Sequence, residues 1–142
     1  MKKFIVFALL IAIMALSFGC SAAKPTDLSG EWESCQDDGY IFEDYIGEME
    51  IKDGNVAVYF VSAEQNVKFL CWYGSYEAPK DEVTEYSWVS IKDTSMTENS
   101  FFVPDINQAA FKYENGQISF DYSVLGMYFT LTFDRLTCEE AA

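Results

Sequence analysis

The chain has no histidine among its 142 residues. His-based catalytic triads, His-containing metal sites and the commonest general base are therefore excluded. Positive charge is scarce too: nine Lys and Arg stand against 23 Asp and Glu, a formal net charge of −14. That balance argues against nucleic acid and anionic lipid as partners, and for solubility or attraction of a basic partner. No stretch matches an EF-hand loop or a phosphate-binding glycine-rich loop, and no internal repeat, heptad or long amphipathic helix is visible. The carboxylate pairs Asp37/Asp38 and Glu48/Glu50 offer little, because Glu48 and Glu50 share an outward strand face where solvated carboxylates do little catalysis. The expectation is a protein that is not an enzyme and uses no cofactor or metal.

One long apolar run is present, Phe4 to Leu16, behind the basic start Met1-Lys2-Lys3. It is too short for a comfortable membrane span and reads as a signal peptide covering residues 1–19. Gly19-Cys20 resembles the lipobox of bacterial lipoproteins, with the departure that Leu16 lies one place early and Phe18 stands where a small residue is commoner. The resemblance implies lipidation of Cys20, a tether over residues 20–26, and a membrane-anchored protein on the extracytoplasmic face. An ordinary secreted protein cut nearby is the alternative. Removing residues 1–19 takes Lys2 and Lys3 and leaves 123 of the 142 residues, so the formal charge moves from −14 to −16. That length fits one domain, over 27–142.

Almost everything after Asp27 reads as strands. Gly30 and Trp32 fall on one face of the first. At the other end Met127, Phe129, Leu131, Phe133 and Arg135 alternate with Tyr128, Thr130, Thr132 and Asp134, so Arg135 continues an apolar face. Between them, strands over 45–52, 56–61, 67–77, 84–92, 109–113 and 118–124 are punctuated by the turns Asp53-Gly54-Asn55 and Glu114-Asn115-Gly116-Gln117. Residues 93–99 are polar and suit a turn or a single helical turn. About eight strands with short connections predict an antiparallel up-and-down meander that closes into a barrel, with an open two-sheet sandwich as the alternative.

A Gly-x-Trp on the first strand, in phase with an Arg on the last, resembles the lipocalin-like, or calycin, barrels. The resemblance implies that Gly30 bends the first strand over the core, that Trp32 plugs the floor, and that Arg135 lies across the Trp32 ring. The middle, Phe69 to Pro79 followed by Tyr86-Ser87-Trp88, also resembles a group of small bacterial lipoproteins, which implies no activity.

Three cysteines remain beyond Cys20. If Trp32 and Arg135 are neighbours, Cys35 and Cys138 lie about six residues, roughly 20 Å, apart, which disfavours that pair. The lipocalin-like resemblance implies a Cys71–Cys138 disulfide, since such barrels tie a middle strand to the C-terminal tail; three reduced thiols stay open. Trp72 and Tyr76 share a strand face, as do Tyr86 and Trp88. They make a candidate ligand surface for a small hydrophobic or ring-containing molecule, or else simply fill a narrow barrel. Two functions follow as expectations: a lipid-anchored binding module for a small molecule in the lumen or a protein at the rim, or an interaction or inhibitor protein whose acidic exterior engages a basic extracellular partner and whose lumen is solid.

Overall fold

The computed structural model describes residues 23–34 and 45–136. The expected signal peptide, Cys20, the Asp37/Asp38 pair, Cys35 and Cys138 lie outside them. Eight strands form one antiparallel sheet: β1 (Gly30–Ser34), β2 (Ile46–Lys52), β3 (Asn55–Ser62), β4 (Val67–Ser75), β5 (Glu85–Ile91), β6 (Gln108–Glu114), β7 (Gln117–Val124) and β8 (Met127–Arg135). A single helical turn, α1 (Thr94–Thr97), follows β5 and is capped by the Asp93 carboxylate, which accepts from the Ser95 amide at 3.0 Å. The sheet order is β4-β3-β2-β1-β8-β7-β6-β5, so first and last strands pair in the middle and the two central strands of the sequence become the edges. One continuous sheet curls into a half-barrel, which replaces the sandwich alternative.

Local sequence accounts for the meander. Asp53-Gly54, Asn115-Gly116 and Leu125-Gly126 each place two consecutive residues at positive φ, the geometry of a two-residue hairpin turn matched to twisted strands. Alternation then sets the faces. In β7 the side chains of Ile118, Phe120, Tyr122 and Val124 are buried, and the residues between them face outward or sit at the boundary. β4 breaks the alternation with a bulge: Val58 pairs with Trp72 but Tyr59 pairs with Leu70, which leaves Cys71 as the extra residue. Cys71 and Trp72 are consequently both fully buried.

The edges β4 and β5 meet with a stagger. Gly74, near the C-terminal end of β4, bridges Lys92, the residue after the C-terminal end of β5. Two fully aligned antiparallel strands would set a C-terminal end against an N-terminal one, so the seam has the offset that curling a sheet on itself requires. Non-strand segments cover the remaining edges: Asp93 N donates to Tyr73 O, Ser100 Oγ to Leu70 O and Tyr86 Oη to Glu77 O.

Gly30 has φ +125°, a region side-chain-bearing residues rarely adopt, while nothing lies within 4 Å of where a Cβ would be. Gly30→Ala is expected to cost about 1–3 kcal/mol through backbone strain alone, read as a lowered urea midpoint. An unchanged midpoint would mean that β1 starts without that bend.

Candidate functional site

The paired ends sit together as the alternation requires. Trp32 is directly opposite Arg135, whose guanidinium lies 4.8 Å from the Trp32 ring centroid. Trp32 itself is buried, and its Nε1 donates to Leu28 O at 3.2 Å. The sequence pattern gave no sign of what Arg135 does next: Nη2 donates to the Asp27 carbonyl at 2.6 Å and straps the entering chain across the floor. The Asp27 carboxylate accepts from Ser29 N at 2.9 Å, and that bond holds its carboxyl below the usual range. Strands alternate in direction, so this end, where β1 begins, also holds the 53–54 and 115–116 turns. The far end holds the 63–66 and 125–126 turns and the 92–107 connection.

Of the four aromatics singled out as a ligand surface, three come together and one stands apart. Trp88 stacks on Tyr86 at 6.0 Å and meets Tyr76 edge-on at 5.2 Å, whereas Trp72 is reached only through other rings. Trp88 stacks on Phe111 (5.0 Å), Phe111 on Phe120 (4.5 Å), and Phe120 tilts against Trp72 (5.9 Å). Phe111 and Phe120 thus occupy the space between the two indoles. Trp72 Nε1 is satisfied by Ser90 Oγ at 2.9 Å. Trp88 Nε1 and Tyr76 Oη are buried with no hydrogen-bond partner among the described residues. Burial, with neighbouring Tyr86 and Asp27, pushes the Tyr76 phenol up to about 12, so it stays a donor at neutral pH.

At the far end Tyr45, Phe60, Phe69 and Phe102 line an apolar cleft of about 70 Å³. Sites for drug-sized ligands run from roughly 300 Å³ upward, so this cleft holds no more than a short chain or a small ring edge. Phe102 packs on Phe69 at 4.9 Å, and its carbonyl accepts from Tyr122 Oη. Cys71 lies beneath, its thiol pushed up by burial and donating to Phe69 O at 3.6 Å. Its expected partner Cys138 is outside the described residues.

The outer wall carries a pattern that the sequence alone showed only in part. Glu31 lies directly opposite Glu50, Glu33 opposite Glu48, and Glu33 opposite Asp134 on the next strand. Like charges facing each other across strands are destabilising. Lys68 answers only Glu48, at 2.8 Å, and lies over the Tyr59 ring at 4.2 Å. Among the described residues, Glu31, Glu33 and Glu50 have no cation within ion-pair distance. The alternation had placed Glu48 and Glu50 outward, but the facing glutamates of β1 require a register that one strand cannot reveal. No described group of three or more Cys, Asp or Glu is arranged to hold a metal ion, and no described helix is long and apolar enough to cross a membrane.

No family model, curated protein or solved structure matches this chain.

Proposed function

We propose that the chain is a lipid-anchored, extracytoplasmic binding module of lipocalin-like design, which acts through its acidic outer surface on a basic protein partner. The observation that carries this reading is the pair of rungs Glu31/Glu50 and Glu33/Glu48, in which facing carboxylates repel and, among the described residues, Glu48 alone of these four has a cation within ion-pair distance. A basic partner would relieve that repulsion and would be steered to the wall by it. The ring-filled interior supports the outside over the lumen as the working surface. Export and anchoring rest on residues 1–19 and Cys20, and the chain enters the barrel at the end strapped by Arg135.

The test is made in the native envelope. Glu31→Gln/Glu33→Gln/Glu50→Gln is expected to be as stable as wild type or more so, by about 0.2–1 kcal/mol per relieved pair, and to lose a partner that wild type releases only at high salt. Cys20→Ala is expected to leave the membrane fraction. Retention of the same partner by the triple variant, with the same salt dependence, would sink the reading.

A second reading, a small ring-containing ligand, is favoured by one observation: Trp88 Nε1 and Tyr76 Oη are neighbouring buried donors without acceptors among the described residues. A ligand with a hydrogen-bond acceptor would satisfy both, and would change the emission of Trp88 at stoichiometric occupancy.

A further inference from the structure

We infer that the far end of the barrel carries an apolar tip, formed by Leu125 with Phe101 and Tyr128, that seats in an apolar pocket with a basic rim on the protein partner. The inference rests on the outer-surface reading above and says where on that surface the partner is gripped.

Four described residues other than glycine have positive φ: Asp53, Asn66, Asn115 and Leu125. Three are Asp or Asn, which tolerate the left-handed region because a short polar side chain can bond locally. Leu125 is the exception. It occupies, at φ 53°, the turn position that Asp53 and Asn115 hold in the other two-residue hairpins. Burial does not hold it there, since it is 86% exposed. A strained backbone under an exposed leucine is costly to the free chain twice over, and such outliers concentrate where a surface has work to do.

Two further exposed apolar side chains lie at the same end as the leucine. Tyr128, three residues on, is 84% exposed, and Phe101 in the 92–107 connection is 94% exposed. Both lie at the far end, where Tyr122 Oη donates to Phe102 O and ties the connection to the β7–β8 hairpin. Exposed aromatics flanking an aliphatic tip have the make-up of interface anchors. The charges around the tip select its occupant. Exposed Glu98 and Asp105 flank Phe101, and exposed Asp121 lies on β7 below Leu125. The cations described near this end are already engaged, Lys68 with Glu48 and Lys92 with Pro104 O. An acidic rim opposes anionic lipid and opposes a second copy of the same rim, and complements a pocket edged by Lys or Arg. Tyr128 and Asp134 share the outward face of β8, so the tip continues into the acidic wall. The wall steers and the tip anchors.

The experiment uses the full chain in its own envelope, with p-benzoylphenylalanine in place of Phe101, Tyr128, Glu50 or Asn115. Photo-crosslinking is expected to join one protein to positions 101 and 128 and nothing to position 115 at the end where β1 begins. That protein, purified, is then titrated calorimetrically with wild type and with Leu125→Asn at low and high salt. Binding to Leu125→Asn is expected to be at least about tenfold weaker, and wild-type binding to weaken with salt. Leu125→Asn should melt no lower than wild type, since it relieves the turn. Adducts from position 50 without adducts from 101 and 128 would overturn the tip and leave the acidic-surface reading standing. Adducts from no position would overturn both. Self-adducts or lipid adducts at the tip, or undiminished binding by Leu125→Asn, would overturn the tip.

Discussion

Trp32→Ala is expected to destabilise the domain by about 3–5 kcal/mol, because it empties an indole-sized space at the floor of the barrel. Trp32 is 1% exposed, its loss also takes the indole donor from the Leu28 carbonyl, and Arg135 is strapped to Asp27 and poorly placed to collapse into the void. Arg135 is the only arginine of the chain. Arg135→Ala is expected to cost less, through the ring contact, about 0.5–2 kcal/mol, and the bond to Asp27 O. The two substitutions should be coupled in a double-mutant cycle, since the guanidinium and the indole touch directly. Arg135→Lys separates the contributions: it keeps a cation near the ring but loses the planar fork that can stack and donate together. Strict additivity of Trp32→Ala and Arg135→Ala in urea unfolding would show that the ring contact contributes nothing. A Trp32→Ala variant as stable as wild type would remove the floor from the account of the fold.

The floor was legible in the sequence because both halves of it are written in alternation. Gly30 and Trp32 lie two apart, Arg135 falls in phase with Phe133, and the pairing register puts Trp32 and Arg135 opposite each other. The hairpin turns were legible for the same local reason where the first residue is Asp53 or Asn115. Leu125 in the equivalent place follows no turn preference, and its role appears only once its exposure is known. What the sequence hides depends on offsets between distant strands. The bulge at Cys71 shifts the phase of β4 by one, so that Cys71 is buried along with Trp72, although simple alternation would part them, and Phe69 lines the far-end cleft. Phe111 and Phe120 lie between Trp72 and Trp88 because β6 and β7 curl the sheet across the interior, a relation that no spacing within β4 or β5 encodes. The facing glutamates of β1 and β2 depend on the register between two strands that no local turn signal fixes. Nor could strand counting show that the sheet's free edges are β4 and β5, with the seam between them.

Gly74→Ala is expected to open that seam. A Cβ at this position would lie 2.5 Å from Ile91 O, 2.5 Å from Ser90 Oγ and 2.9 Å from Trp72 Nε1. Real Cβ atoms do not approach so closely, and the first of these atoms is backbone, which cannot rotate away. The edges must therefore separate. Separation threatens the bridge from Gly74 to Lys92, the bond from Ile91 N to Ser75 Oγ and the bond from Asp93 N to Tyr73 O, which together do the work a strand ladder does elsewhere. It also pulls Ser90 from Trp72 Nε1, leaving a buried donor unpaired. Overpacking and the lost buried bond together set the expected cost at about 2–4 kcal/mol. Unlike Gly30→Ala, where strain is confined to one backbone turn, the effect should be spatially specific. Hydrogen exchange should show the Ile91 and Asp93 amides losing protection beyond the global loss, while the Gly30 to Glu33 ladder with β2 follows global stability alone. A Gly74→Ala variant with wild-type stability and fully protected Ile91 and Asp93 amides would mean that these edges do not meet at Gly74, and that the sheet is held in its curl by the ring stack of Trp88, Phe111, Phe120 and Trp72 instead.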